Sequence, residues 1–243
     1  MIERVRVWLI FWGRDWMRTD VAVDRAAVTF DVLQILMSPY LSGLHQYRAS
    51  IGYRTPNESG LLEGLVTVAS DLGSSPPDPP TFLEPDALHA TKKVLPDLGE
   101  VTTLIENLLL SETIAAPTDP NRLYVVVLPD GVGCSVDKNW TYGLHYAIAK
   151  GYPEKVHIAW VGNCGSRAVI SSVFSHELVE AITDPEGDAI KATNPGRTCG
   201  NPDPTNWCEI GDVCQNAPGQ TSTGVTVQGY WSELDQRCVT PTT

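Results

Sequence analysis

Two short runs of apolar and β-branched residues, Leu123-Tyr124-Val125-Val126-Val127-Leu128 and Val156-His157-Ile158-Ala159-Trp160-Val161, constrain the fold of this chain more than any other feature. Both are bounded by turn-forming residues, the pattern of core strands. A further buried strand is expected in the first segment, Met1 to Gly13, ending at the glycine. Two arginines precede its apolar stretch as in a signal peptide, but the stretch is too short and lacks a small-residue cleavage site. Tyr142 to Ile148 reads as an edge-like strand because of its polar residues, and weaker strands are expected over Leu65 to Ala69 and Val225 to Tyr230.

Helices are expected between these strands. Asp20 is placed to cap one that runs to about Met37, apolar at Val21, Val28, Val32, Ile35 and Leu36 and stopped by Pro39. Asp97 and Glu100 make a capping-box-like start to another through about Leu110. A third spans roughly Arg167 to Thr183, where Pro185 disfavours helical geometry at Asp184. Its residues Ile170, Val173, Phe174, Ala181 and Ile182 are available to bury one side, with His176 and Glu180 near the border. Tyr40 to Gly60 reads as a surface excursion, and residues 71–86, with five prolines, as a loop. From Glu186 onward Gly, Pro, Asn and Cys predominate. The order implies an α+β (or α/β) fold in which helices pack on a mixed sheet. A single domain over 1–243 is the simplest organisation: a sheet and helix core over 1–185, and an irregular, cysteine-rich tail over 186–243 that completes the site.

The chain carries 17 basic and 29 acidic residues, a net charge of −12. That balance repels nucleic-acid phosphates and anionic lipid, so no nucleic-acid partner is expected. No apolar run approaches the roughly 20 residues of a membrane-spanning helix, so no membrane span is expected. Four of the six cysteines, Cys199, Cys208, Cys214 and Cys238, crowd into the last quarter, while Cys134 and Cys164 flank the segment before the third helix. An even count in loop-rich segments points to disulfides and an oxidising, extracytoplasmic compartment, with reduced cysteines as the alternative. No Cys-x-x-Cys pair is present to support a four-cysteine zinc site.

The chemistry concentrates in Ser175-His176-Glu177-Leu178-Val179-Glu180. Helical positions four apart share a stripe, so His176, Glu180 and Asp184 point one way while Glu177 sits one step around. In the H-E-x-x-H metallopeptidase motif two histidines bind zinc and the glutamate takes a proton from water activated by the metal. Here the second histidine is replaced by Glu180, an oxygen donor, giving an H-E-x-x-E motif and a more anionic site. Zn2+ is the expected ion, with Fe2+, Mn2+ and Ca2+ as alternatives. A further ligand must come from elsewhere, and Glu209 and Asp212, between Cys208 and Cys214, are the leading candidates. His145 is a candidate catalytic residue, as an oxyanion stabiliser, or a further ligand. Trp207, Tyr230 and Trp231 lie near the ligand loop and are candidates to line a cleft.

Leu9-Ile10-Phe11-Trp12-Gly13, Ser38-Pro39-Tyr40-Leu41 with Gln46-Tyr47, Ser175 to Pro185, Glu209-Ile210-Gly211-Asp212-Val213-Cys214 and Tyr230-Trp231-Ser232 together resemble a mostly bacterial family of secreted proteins. That family is distantly similar to the plant Exordium and phosphate-induced proteins. The resemblance implies that the His-Glu helix and the Glu-Ile-Gly-Asp loop belong to one site. The element order is also similar to the metzincin branch of zinc peptidases, with two departures. Glu186 stands at the spacing of the third metzincin histidine, and no methionine follows Met37 to make a methionine turn.

The function expected from these residues is a metal-dependent, zinc-type hydrolase of the peptidase kind, with Glu177 as general base and a peptide or small-molecule substrate. The alternatives are a non-catalytic, metal-stabilised module that binds cell-wall carbohydrate or protein, and an iron-dependent biosynthetic enzyme.

Overall fold

The structure, a computed structural model, describes residues 1–18, 24–49, 59–69, 98–134, 142–149, 151–187, 191–193 and 207–242. Its centre is a five-stranded mixed sheet of β1 (Arg6–Trp12), β2 (Leu61–Val68), β3 (Arg122–Val127), β4 (Gly143–Ile148) and β5 (Val156–Val161), in the order β2-β1-β3-β5-β4. The first four in that order run parallel, and β4 lies antiparallel to β5 at the edge. This is the α+β class that the sequence implies.

Both faces of the sheet are covered, which explains why β3 and β5 are buried along their whole length. Alternate side chains serve opposite layers. Val7, Leu9 and Phe11 of β1, Leu123, Val125 and Val127 of β3, and Ala159 and Val161 of β5 join one core. That core includes α1 (Arg25–Met37) and α4 (Arg167–Thr183). Ile10, Tyr124, Val126, Ile158 and Trp160 join the other, packed by Val101, Leu104, Ile105 and Leu108 of α3 (Leu98–Leu110). α1 starts at Arg25 rather than soon after Asp20, which lies outside the described residues; Asp24 is the cap, its carboxylate accepting from Ala26 N.

Three other expectations are corrected. Over residues 39–49 the expected surface excursion is instead a 3-10 turn, Pro39–Leu44, and α2 (His45–Ala49), with Tyr40, Leu41, Leu44 and Tyr47 buried, while residues 50–58 lie outside the described residues. The aromatic residues that looked like surface decoration fill the α1/α4 core. β2 begins at Leu61, four residues early, because Leu61 N donates to Val5 O and starts the ladder with β1. Within the tail the described residues include short antiparallel ladders: β6 (Lys191–Thr193) with β7 (Trp207–Glu209), β8 (Pro218–Gln220) with β9 (Thr226–Gln228), and β10 (Tyr230–Ser232) with β11 (Arg237–Val239). The strand expected over Val225 to Tyr230 divides at Gly229 between two of them, because Gly229 N turns to Ala217 O. The proline-rich stretch of 71–86 lies outside the described residues.

This tail changes the character of α4. An exposed helix would bury one stripe, yet from Phe174 to Thr183 nearly every side chain of α4 is enclosed. The sheet covers one side and β9 packs along another. Two disulfides are described: Cys134–Cys164 joins the loops that lead into β4 and α4, and Cys214–Cys238 ties the loop after β7 to β11. Among the described residues no single helix is long and apolar enough to cross a membrane.

Candidate metal centre

The enclosed half of α4 carries His176, Glu177 and Glu180, of which the two glutamates are fully buried. Bare carboxylates in such a place are costly unless a positive or hydrogen-bonding partner meets them. Among the described residues, every ion pair of Glu177 and Glu180 is with a histidine. His176 Nε2 lies 3.1 Å from Glu180 Oε2, 3.8 Å from Glu177 Oε1 and 3.8 Å from Asp212 Oδ1.

His145 reaches the same carboxylates from the sheet. In β4 it stands opposite Ala159, whose side chain belongs to the α4-facing core, and directly opposed residues of a sheet share a face. The imidazole is therefore directed at α4. Its Nδ1 lies 3.4 Å from Glu177 Oε2 and 3.7 Å from Glu180 Oε2, and its Nε2 donates to Asp184 O at 2.9 Å, with Glu209 Oε1 at 3.4 Å.

The third contributor is the 3-10 turn Asp212–Cys214. Asp212 N donates to Glu180 Oε1 at 3.0 Å, so the backbone of the loop docks on the helix carboxylate while its side chain faces His176. Two glycines permit these approaches. A Cβ on Gly211 would sit 2.7 Å from Glu180 Oε1 and 2.8 Å from His176 Nδ1, and one on Gly143 would sit 2.3 Å from Glu177 Oε1.

Burial by itself lowers the basicity of His176, but Glu180, Glu177 and Asp212 more than reverse this and push its pKa up to about 10. His145 behaves alike: burial lowers it, and Glu177, Glu209 and Glu180 together hold it well above its ordinary value. Burial raises Glu180, partly offset by His176. The cluster thus attracts positive charge, whether protons or a metal ion.

The residues named from the sequence separate into groups. Ligand atoms of His176, Glu180 and Asp212 all lie within 4.8 Å of one another, as do those of His145, Glu177 and Glu180. Glu209 is met through His145 rather than His176, and Asp184 presents its backbone carbonyl to His145; neither joins the atoms around His176. Glu186, at the third metzincin position, pairs instead with Lys155. Tyr230 lines no cleft: it is fully buried, edge-to-face with Tyr40, and its hydroxyl donates to Tyr40 O. Of Trp207 only the backbone, in β7, is described.

One residue that sequence reasoning passed over is Gln228. Its Nε2 lies 2.7 Å from His176 Nδ1 and 2.9 Å from Gly211 O, its N–H donates to Ser175 Oγ, and its carbonyl accepts from Tyr40 Oη at 2.7 Å. Burial raises the Tyr40 phenol, which keeps it a donor. Gln228 so joins β9, α4 and the ligand loop. A ring ligating through Nε2 carries its hydrogen on Nδ1, and a half-turn of the Gln228 amide would meet it with Oε1 while giving up the bond to Gly211 O. No spacing relates Gln228 to the helix motif, so nothing in the sequence marks it.

Compared with protein-family models, curated proteins and solved structures, the chain matches none of them.

Proposed function

We propose that the protein is a metal-dependent hydrolase, of the zinc type, that cleaves an amide or ester bond in a peptide or small-molecule substrate. The observation that carries this reading is the convergence of His176 Nε2, Glu180 Oε2 and Asp212 Oδ1, with Glu177 beside them. Tetrahedral zinc with bonds of about 2.0–2.2 Å separates its ligands by about 3.3–3.6 Å, and the 3.1 and 3.8 Å spacings around His176 bracket that range. One nitrogen and two carboxylate oxygens suit zinc, manganese or iron better than calcium, which takes six to eight oxygens. His176, Glu180 and Asp212 would hold the ion. A metal so held supplies polarisation of a carbonyl and acidification of water.

The chain's own residues do the rest. Glu177, on the same helix but one step around, is the base that takes a proton from water. His145 Nδ1, 3.4 Å from Glu177 Oε2, orients that carboxylate and is in place to hold the proton with it. Gln228 and the Glu-Ile-Gly-Asp loop fix His176 and Asp212.

Elemental analysis of protein purified without added metal or a chelating tag tests the premise. The expected result is about one equivalent of zinc per chain, lost in His176→Ala, together with hydrolysis of an ester or peptide library that Glu177→Gln abolishes. No retained metal after incubation with Zn2+, Mn2+, Fe2+ and Ca2+, or hydrolysis unchanged by Glu177→Gln, overturns it.

A further inference from the structure

A second group of possible ligand atoms, on His145, Glu177 and Glu180, stands beside the His176 group. Both neighbours of His145 Nε2, the carbonyl of Asp184 and the carboxylate of Glu209, can only accept a hydrogen bond, so Nε2 bears the hydrogen. The Nδ1 lone pair of the neutral ring is then directed at two further acceptors, Glu177 Oε2 at 3.4 Å and Glu180 Oε2 at 3.7 Å. Three electron pairs brought together in one buried place are stable only around a positive charge, a proton on Nδ1 in the metal-free chain or a metal ion in its place. The 3.4 and 3.7 Å spacings are close to those of ligands on one small cation, because bonds of about 2.0–2.2 Å in tetrahedral array place ligands about 3.3–3.6 Å apart. The donor fixed by a backbone carbonyl on its far nitrogen is also the usual arrangement of a ligating histidine.

We propose that His145 Nδ1, Glu177 Oε2 and Glu180 Oε2 form a second divalent-cation position, which shares Glu180 with the His176 group. Glu180 Oε2 belongs to both sets, so the two ions would be bridged by one carboxylate oxygen. Gly143 serves this position too, since any larger residue there would displace the Glu177 carboxylate. The consequence for catalysis rests on the hydrolase reading, whereas occupancy does not. Glu177 is the base in that reading, and a cation on its carboxylate removes it from proton transfer. The second position is therefore inhibitory: one equivalent of zinc activates and a second suppresses.

The test is calorimetric titration of the chelator-stripped, disulfide-intact chain with Zn2+, repeated with Co2+ and followed by visible absorption. About two equivalents are expected in the wild type and about one in His145→Ala. His145→Gln, which retains a donor for Asp184 O, is the second variant and should also bind one. In the wild type, hydrolysis should fall about 100-fold as the second equivalent binds, the scale of losing a general base. A single equivalent in the wild type overturns the second position and leaves the hydrolase reading to stand on Glu177→Gln. Two equivalents in both His145 variants also overturn it. No binding at all overturns both readings together.

Discussion

The two arms that meet at the candidate centre are built in different ways. The α4 arm holds His176, Glu177 and Glu180 by helical geometry alone, so their relative positions follow from their spacing in the chain. The tail arm holds Asp212 in a single 3-10 turn, which has no repeating geometry to fix it. Its position depends on distant partners: the Asp212 N–H on Glu180, Gln228 on Gly211 O, Trp231 N on Ile210 O, and the Cys214–Cys238 bridge. Chemistry placed on a helix survives local loosening, whereas chemistry placed on a turn is as stable as the contacts that tie the turn down.

The largest expected effect lies on the helix arm. Glu177→Gln should lower hydrolysis by about 10²- to 10⁴-fold while leaving the zinc content of the His176 group intact. Loss of activity that tracks loss of metal would mean that Glu177 works as a ligand of that ion rather than as a base. The tail arm is tested by Cys238→Ser, which should cost about 2–4 kcal/mol in denaturant unfolding. In that variant metal affinity should fall although no ligand has been touched. Affinity unchanged in a destabilised variant would show that the turn is held by Gln228 and the backbone contacts alone.

Next in size is Gln228→Ala. Removing a partner that orients a ligating histidine should reduce zinc affinity by about 10- to 100-fold. Gln228→Glu keeps an acceptor for Nδ1–H while giving up the bond to Gly211 O, so it should recover only part of the loss, which a purely packing role for the side chain would not produce.

The same division explains what was legible in the sequence. The runs at 123–128 and 156–161 predicted strands because both faces of a central strand must be apolar, and the helix motif predicted its own geometry. That the Glu-Ile-Gly-Asp loop joins α4 rests on the need for a further ligand and on the loop's acidic residues, since no local rule brings residue 212 to residue 180. Nothing local marks Gln228, because its side-chain partners lie 17 and 52 residues away. Tyr40 and Tyr47 stand in a polar stretch that reads as surface, but tertiary contacts satisfy their hydroxyls and bury their rings.

A smaller effect separates the arms by pH. His176 binds its proton more tightly folded than unfolded, so in metal-free protein this contribution to stability is complete below about 6.5, the unfolded value. It is lost as pH rises through the folded value of about 10. Buried Glu180, also raised, acts in the same direction. The melting temperature of chelator-treated protein should therefore fall between pH 6.5 and 10, and zinc should flatten that decline because the ion replaces the protons. A decline of equal slope with and without zinc would remove the His176 cluster as its cause.

The smallest effect is a control for local structure far from the centre. Asp24 caps α1 by accepting from Ala26 N, and Asp24→Ala should cost about 1 kcal/mol. α1 does touch α4, through the buried Asp31 carboxylate that pairs with Arg167 and accepts from Ser171 Oγ. Those contacts lie in the first turns of α4, about one and a half turns or more before His176, and that part of the helix is locked by Ile170 and Phe174 in the core. If helical geometry alone fixes the α4 arm, Asp24→Ala should lower stability with no measurable change in zinc affinity. A parallel loss of affinity would mean that strain at α1 travels along α4, and that the helix arm also depends on partners outside itself.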